Sequence, residues 1–317
     1  MKDVSIIVLT YNQWNLTRQT LESIQNVIGQ GLLSLEVIVV DNGSVEPIIE
    51  NIRRDFPWVL IVDNGVNLGF SAGNNRGVEI ASGKYVLFLN SDTKIFPETL
   101  PFLLDRMEED KKIGIATCKV VFGSGLIDPA SHRGFPTPWR ALAYYLGLEK
   151  IANWIEKVGG SNILTKKIKL LFCGYHLGYL DLEVPHEIDA CRGAFLLIRS
   201  ELGKELGWWD EQFFMYGEDL DLCYRVKDKG FRVMYFPQVK IVHFKHSSGL
   251  KVDIKKVSTE DEVRRMVETK KRTTKAFYDA MKLFYLKHYN NLYPAIIKLF
   301  VFGAVDLLKF RAIKRIR

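Results

Sequence analysis

Polar side chains follow three short apolar runs within the first 92 residues, each at the point where the run ends. In chain order they are Thr10, Tyr11 and Asn12, then Asp41, and then Asn90 and Asp92. Because ligands bind outside the carboxyl ends of the strands in an open parallel sheet, the three clusters together favour a nucleotide pocket. Asp41 is the candidate acceptor for a base NH or for ribose hydroxyls. Taken singly, each cluster is equally well explained as a turn or a helix cap.

A segment rich in glycine and asparagine, residues 67–77, is the next candidate for binding a donor substrate. Its glycines do not have GxGxxG spacing and the chain has no GxxxxGK[ST] motif, so a dinucleotide fingerprint and a P-loop are excluded. Asn67, Asn74 and Arg76 are the candidates here, since a helix start beside a basic residue suits phosphate oxygens. The alternative for the glycines is close packing of a helix against a sheet.

Hydrophobic patterning predicts the elements that position these residues. Buried strands are predicted at residues 4–10, 35–40, 59–62 and 85–89, with helices from Asn15 onward, at 48–56 and at 71–82. This alternation predicts right-handed βαβ units and a mostly parallel sheet.

The pattern is less regular after the first 95 residues. Further helices are predicted at 97–110, 139–156, 163–172, 219–229 and 259–290, and further strands at 113–121, 190–198, 232–236 and 239–243. Residues 123–187 lack clear sheet signals, which is typical of a lid or a substrate-binding insertion.

Composition excludes several classes of protein. The chain has 317 residues, of which 47% are hydrophobic and 26% charged, so a disordered or fibrous protein is excluded. Four scattered cysteines without CxxC spacing indicate reduced thiols in a cytoplasmic protein, and no signal peptide is expected. The net charge is +7, and residues 251–317 account for it, with 17 Lys or Arg against 7 Asp or Glu.

Six motifs in order resemble the family-2 inverting glycosyltransferases, and most of all their rhamnosyltransferase-like branch. They are VSIIVLTYN, VVDNGS, NLGFSAGNNRG, LNSD, RGAFLLIR and WDEQFFMYGEDLDLCYR, followed by a final Val-His. The resemblance covers residues 1–250 except 123–187.

The resemblance implies an α/β fold of the GT-A type, a nucleotide-diphospho-sugar transferase fold with a Rossmann-like mixed, mostly parallel sheet. Residues 1–250 are then the GT-A domain, with 123–187 as an acceptor or lid insertion. Residues 251–317 are a basic, helical, membrane-associating C-terminal region.

The resemblance also implies a divalent metal, Mg or Mn, on the donor diphosphate. The family's DxD motif matches Asn90-Ser-Asp92, so its first carboxylate is replaced and Asp92 is the remaining acid. His243 matches the family position that joins the metal site, and His246 is a weaker candidate. Mn²⁺ tolerates an imidazole ligand better than Mg²⁺ does.

The catalytic roles are likewise implied by the resemblance. Asp219 is the expected general base and Glu218 a neighbour that contacts the acceptor, although an acid at a helix start is by default a cap. Further residues are expected at the sugar or acceptor: Arg192, Gly193, Ala194, Trp209 and Tyr216. For the aromatic residues, core packing is an equal alternative.

The expected reaction is inverting transfer of rhamnose or another hexose or deoxyhexose. The donor is a dTDP- or UDP-sugar and the acceptor is lipid-linked or a polysaccharide, so the enzyme is a hexosyltransferase of cell-envelope biosynthesis. The alternative is a non-catalytic nucleotide-sugar-binding or scaffold protein at the membrane. A nucleotidyltransferase would need a glycine-rich basic loop after the first strand, where this chain has Thr-Tyr-Asn-Gln-Trp.

The last segment, residues 292–317, predicts a membrane contact. On a helix, Lys298, Asp306 and Lys309 share one narrow face, apolar residues fill the rest, and basic residues follow. This pattern favours a helix in the interface of an anionic membrane, at the cytoplasmic face, over a helix that docks on protein. Nucleic acid is not an expected partner, and the oligomeric state is left open.

Overall fold

The computed structural model describes residues 2–244 and 260–316. The strands are β1 Val4–Thr10, β2 Leu35–Asp41, β3 Leu60–Asp63, β4 Tyr85–Asn90, β5 Thr93–Ile95, β6 Ile113–Phe122, β7 His186–Ile188, β8 Phe195–Arg199 and β9 Arg232–His243. The helices are α1 Trp14–Ile28, α2 Ile48–Asp55, α3 Phe70–Val78, α4 Thr99–Glu109, α5 Pro138–Tyr145, α6 Leu148–Gly159, α7 Ile163–Phe172, α8 Ser200–Leu206, α9 Glu218–Asp228, α10 Glu260–His288 and α11 Ala295–Lys314.

These strands form one sheet of nine strands in the order β3-β2-β1-β4-β8-β6-β9-β5, with β7 paired to β9. The run β3-β2-β1-β4 is parallel throughout. β8 is antiparallel to both of its neighbours, β6 and β9 are parallel, and β5 and β7 are antiparallel to β9. The predicted α/β architecture with a mixed sheet is confirmed, and its parallel part is the predicted series of βαβ units.

Helices cover both faces of the sheet, which explains the continuous apolar runs. In β1, Ile6 and Val8 pack in the core with α1, α2 and α4, while Ile7 packs in the opposite core with α3 and α9. A strand buried on both faces has no polar alternation, so its boundaries are visible only where the apolar run stops.

Three predictions differ from the structure. The helix predicted at 139–156 is two helices, α5 and α6, because Gly147 between them has a left-handed backbone with φ +69°. The strand predicted at 190–198 is confined to Phe195–Arg199, because Ala190 forms an isolated antiparallel bridge with Arg133 and does not continue the strand. The strands predicted at 232–236 and 239–243 are one strand, β9. Pro237 suggested a break, but it lies at a register shift, where Phe236 pairs with Cys118 and Lys240 with Lys119. A bulge accommodates proline because no ladder hydrogen bond is required there.

The C-terminal helices pack against α9. Phe284 and Tyr285 of α10, together with Tyr289 just after it, form a third apolar cluster with Phe213. α11 runs back along α10, with ion pairs between Lys282 and Asp306 and between Lys309 and Asp279, each at 2.5 Å. Within residues 2–244 and 260–316, none of the helices is long and apolar enough to cross a membrane. The predicted domain boundary at 250, and His246, lie outside the described residues.

Candidate active site

The ends of β1 and β2 bring together a group that we name the strand-end cluster: Thr10, Asn12 and Asp41. Thr10 and Asp41 are direct partners in the parallel register. The backbone N–H of Asn12 donates to Ser44 Oγ (2.8 Å), and Ser44 in turn donates to Asp41. Asp41 is buried, which raises the pKa of its carboxyl, and the hydrogen bonds from Ser44 only partly oppose that effect. The neighbouring Tyr11 has an exposed side chain.

Asn12 has a left-handed backbone, with φ +51°. Its side-chain Oδ1 accepts a hydrogen bond from the backbone N–H of Val45 (2.7 Å), which fixes the loop after β2 against the end of β1. A non-glycine residue in this conformation is uncommon and is over-represented at functional sites.

The loop at 64–69 is organised by Asn42, which the sequence placed in the polar cluster after the second strand without giving it a role. Its Oδ1 accepts from the backbone N–H of Leu68 (3.1 Å), and its Nδ2 donates to the backbone carbonyl of Gly69 (3.0 Å). The amide of Asn42 also donates to Asn67 Oδ1 (3.2 Å). Asn67 therefore holds this loop, and the signal that pointed to Asn42 was its place in the VVDNGS motif.

The other two candidates of this segment lie on α3. Asn74 donates to the backbone carbonyl of Phe70 (2.9 Å), within its own helix. Arg76 lies in the last turn of α3 and pairs with Glu79 (3.1 Å), with an exposed side chain. The structure thus does not bring Arg76 to the helix start, where phosphate binding was expected.

The start of α3 is pressed against the loop that leads to α9. Gly69 has φ +87°, and a Cβ at this position would lie 2.3 Å from the backbone carbonyl oxygen of Phe214. The backbone N–H of Phe70 donates to that same carbonyl (2.7 Å). Glycine is therefore required here so that the two loops can meet.

Asp92 and His243 lie side by side as predicted for a shared site. The antiparallel pairing of β5 with β9 places Thr93 opposite His243, and this register brings His243 Nε2 to 3.2 Å from Asp92 Oδ1. Both side chains are buried, and Asp92 Oδ2 is buried without a hydrogen-bond partner. Asn90, the last residue of β4 and two residues before Asp92, is held by its backbone N–H, which donates to the carbonyl of Ala194 (3.1 Å).

Asp128, which sequence reasoning missed, contacts the opposite side of the His243 ring. Its fully buried carboxylate lies 3.3 Å from His243 Nδ1 and 3.2 Å from Arg192 Nη1. Burial would lower the pKa of His243, but hydrogen bonds to Asp128 and Asp92 outweigh it and raise that pKa. No sequence pattern indicated Asp128 as a site residue, because it lies in the irregular segment after β6.

The Asp92–His243 pair fits part of a metal site. Among the described residues, no group of three or more His, Cys, Asp or Glu side chains is placed to hold an ion. Asp92 and His243 nevertheless offer a carboxylate oxygen and an imidazole nitrogen close to each other. Asp92 Oδ2 has no hydrogen-bond partner in the protein and is therefore available as a metal ligand. Two protein ligands fit an ion whose remaining ligands come from a phosphate-bearing substrate.

The second group, named the carboxylate cluster, consists of Arg133, Glu218 and Asp219. Glu218 and Asp219 begin α9, and Arg133 reaches them from the insertion after β6, with its Nη2 2.6 Å from Asp219 Oδ2. Burial, and then the adjacent charge of Asp219, raise the pKa of Glu218 to about 8, and its Oε2 has no hydrogen-bond partner. Arg133 was not selected from the sequence, because the insertion has no periodicity that identifies a partner for Asp219.

Arg192 links the two groups electrostatically. Besides the larger effects of burial and hydrogen bonding, its positive charge lowers the pKa of both Glu218 and His243. Its guanidinium pairs with Asp128 (3.2 Å), which in turn contacts His243 (3.3 Å). Of the three neighbours expected at the sugar or acceptor, Arg192 alone has a functional side chain. Gly193 packs on Phe70, and Ala194 is buried.

The two aromatic candidates have different surroundings. Trp209 is 1% exposed, and its ring packs edge-on against Phe88 (4.7 Å) and Phe70 (5.3 Å). Of the two alternatives that the sequence left open for Trp209, sugar stacking and core packing, this burial favours core packing. Tyr216 is only partly buried, contacts Phe277, and has φ +72°, which marks a strained entry into α9.

With this geometry established, the chain was compared with known proteins. The sequence profile of Glycosyl transferase family 2 matches residues 5–170, and that of Glycosyltransferase like family 2 matches residues 185–259. The chain is 24% identical to the rhamnosyltransferase WbbL of Escherichia coli K12, over 77% of this chain and 84% of WbbL. It is also 24% identical to the N-acetylglucosaminyl-diphospho-decaprenol L-rhamnosyltransferase of Mycobacterium tuberculosis, over 68% of each chain.

The comparisons with longer proteins cover only part of those proteins. The matches to two uncharacterized relatives, from Sinorhizobium fredii and Escherichia coli, span 25% and 33% of those relatives. Among solved structures, GalNAc-T7 with UDP, GalNAc and Mn²⁺ is similar with a TM-score of 0.56 at 15% identity, over 90% of this chain and 50% of GalNAc-T7. This likeness confirms the expected GT-A fold.

Proposed function

The chain belongs to glycosyl transferase family 2, and on that premise we propose that it transfers a hexose or deoxyhexose, such as rhamnose, from a dTDP- or UDP-sugar with inversion. The acceptor is a lipid-linked sugar or a polysaccharide. The observation that carries the proposal is the placement of Asp219, a carboxylate at the start of α9, in a site that Arg192 links to the Asp92–His243 pair.

Asp219 is the proposed general base. The acceptor hydroxyl gives its proton to the Asp219 carboxylate, and its oxygen forms a bond to the anomeric carbon. The bond from that carbon to the diphosphate oxygen breaks, and its electron pair leaves with the nucleoside diphosphate. Positioned proton transfer of this kind contributes roughly 10²–10⁴-fold to a rate.

Glu218 takes a different role from its neighbour. Burial and the adjacent charge of Asp219 raise the pKa of Glu218, which favours the protonated form of its carboxyl over a role as the base. A neutral carboxyl donates a hydrogen bond, which suits the contact to the acceptor expected of Glu218.

The donor is assigned to the opposite part of the site. Thr10, Asn12 and Asp41 bind the nucleoside, with Asp41 accepting from the base or ribose. Asp92 and His243 would hold a divalent cation, and Mn²⁺ suits the imidazole better than Mg²⁺. Such an ion, when bound, neutralises negative charge on the leaving diphosphate.

A lipid-linked acceptor is supported by a relative and by α11. The Mycobacterium tuberculosis relative is named for transfer to a decaprenol-linked acceptor. In α11, the charged side chains Asp306 and Lys309 face α10, whereas Phe300 is 71% exposed. A helix that turns its charges toward protein and its apolar side outward suits the membrane interface. We therefore place residues 251–317 at the cytoplasmic face of the membrane. Residues 1–250 are the proposed transferase domain, within which the insertion at 123–187 contacts the acceptor.

Transfer of a labelled sugar tests this proposal. The full chain is incubated with dTDP-rhamnose or UDP-hexoses, Mn²⁺ and a short polyprenyl-diphospho-N-acetylglucosamine acceptor, and label in the organic phase is measured. We expect acceptor-dependent label and equimolar release of nucleoside diphosphate. Nucleotide binding without transfer from any of these donors would contradict the proposal in favour of a binding or scaffold protein.

A further inference from the structure

The insertion between β6 and β7 exposes its large apolar side chains and buries its small ones. We name the outward side of α6 and α7 the insertion face; its members are Ile151, Trp154, Val158, Ile163, Leu164 and Leu170. Ile163 is 78% exposed and Trp154 64%, whereas Ala152 is fully buried. Ile151, Trp154 and Val158 are spaced to share one side of a helix. This is the reverse of a helix whose outward side faces water, and exposed large apolar side chains concentrated on two adjacent helices mark an interaction site.

Positive charge surrounds the insertion face. Residues 138–172 contain six Lys or Arg and two Glu. Both acids are already paired, Glu149 with His176 (3.1 Å) and Glu156 with Lys169 (2.8 Å). Lysines such as Lys166 and Lys167 therefore leave a positive surplus beside the apolar side chains.

This combination fits a lipid surface better than a second copy of the chain. A two-fold dimer would place the same positive surface against itself. Lysine is also depleted at protein–protein interfaces, whereas Lys together with Trp and Leu is typical of helices that lie in an anionic membrane interface. Juxtamembrane basic residues gain further from the negative potential of such a membrane.

The insertion is joined directly to the carboxylate cluster. The backbone N–H of Gly134 donates to the carbonyl of Tyr175 (3.0 Å), so the chain before α5 meets the chain after α7. Arg133, next to that junction, pairs with Asp219 (2.6 Å). A membrane contact made by these helices is thus connected to Asp219, the proposed base, through the ion pair between Arg133 and Asp219.

We infer that the insertion face docks on an anionic lipid bilayer, as a contact separate from α11. Docking there would present the head group of a lipid-linked acceptor to Asp219. That last clause rests on the proposed function, whereas the docking itself does not.

Vesicle co-sedimentation of the full chain tests the inference. The variant Trp154→Ser with Leu164→Ser removes two members of the face, and Leu32→Ser with Ile80→Ser removes two exposed apolar side chains outside it. With phosphatidylglycerol–phosphatidylcholine vesicles, we expect the first variant to lose about tenfold or more in partition and the control to bind as wild type. Circular dichroism checks that both variants keep their helices.

A charge variant gives a second readout that does not depend on the apolar side chains. Lys166→Glu with Lys167→Glu should weaken binding to anionic vesicles and leave the weaker binding to pure phosphatidylcholine unchanged. Unaltered partition of both insertion variants overturns the inference, as does equal loss in the Leu32/Ile80 control. So does a concentration-dependent dimer in light scattering that the Trp154/Leu164 variant abolishes while vesicle binding persists. Vesicle binding needs neither donor nor acceptor, so these outcomes are independent of whether transfer is detected.

Discussion

The strand-end cluster is formed by two neighbouring strands, whereas the carboxylate cluster is formed by segments that lie far apart in the sequence. Thr10 and Asp41 are register partners on β1 and β2, and the loops that follow both strands close the group. Arg133 and Asp219 are 86 residues apart and belong to an irregular insertion and a helix start. The first group is fixed by sheet register, and the second depends on one buried ion pair.

This contrast separates the residues proposed to bind the nucleotide from the residues proposed to react with the acceptor. A cluster held by a parallel register is rigid before any ligand arrives, which suits the recognition of a nucleotide. A cluster whose partner lies in an insertion changes with that insertion, which suits recognition of an acceptor. Changes in the second group should therefore affect stability and transfer, and changes in the first should affect nucleotide affinity.

The largest effect is expected from Arg133→Ala. Its removal leaves the buried Asp219 carboxylate without its partner, which costs about 3 kcal/mol of unfolding free energy. Arg133→Lys should recover part of the loss. Chemical denaturation measures it, and Arg54→Ala, which breaks an exposed pair with Asp55, is the control with an unchanged midpoint. A midpoint for Arg133→Ala equal to that of wild type would show that the carboxylate cluster does not depend on this pair.

Asp128→Asn should weaken Mn²⁺ binding by about 10–100-fold, because a carboxylate behind a histidine ligand orients the ring and increases its basicity. Titration of Mn²⁺ by electron paramagnetic resonance, with UDP present, gives the affinity directly. The exposed Asp105→Asn is the matched control. Equal affinities for the two variants would remove His243 from the metal site or Asp128 from its support.

Asp41→Asn should lower the affinity for UDP or dTDP by about tenfold, since the lost carboxylate is a charge-assisted acceptor. Isothermal titration gives the constant. Asp63→Asn, at the register partner of Asp41 on β3, is the control and should bind as wild type. If the control loses as much as Asp41→Asn, the strand-end cluster is not the nucleoside site.

A separate effect concerns pH. Glu218 has its pKa raised from 4.5 to about 8 in the folded chain, so the folded state binds a proton that the unfolded state releases. Its contribution to stability is full below pH 4.5 and is lost as pH rises through 8. The melting temperature of wild type should fall over this range more than that of Glu218→Gln. Parallel curves in calorimetry would contradict the raised pKa.

The part of the molecule that could be predicted from sequence is the part governed by local pattern. Apolar runs, and the polar or glycine residues that end them, predict the parallel strands, their polar ends and the helix that begins at Glu218. Asp92 and His243 were paired by resemblance, and the β5–β9 register explains why they meet. Asp128 and Arg133 lie in a segment without periodicity, so only the folded chain reveals their partners. For Trp209 the sequence left two alternatives open, because an aromatic side chain in a motif packs in a core as readily as it binds a sugar, and its burial favours the core.

The central claim is that Asp219 acts in transfer and not in donor binding, and the variant Asp219→Asn tests it most directly. Nucleotide affinity by isothermal titration and transfer of labelled sugar are measured on the same preparation. The account predicts affinity for UDP or dTDP close to that of wild type, with turnover lowered by about 10²–10⁴-fold. Retained turnover, or a loss of nucleotide affinity as large as that of Asp41→Asn, would contradict it.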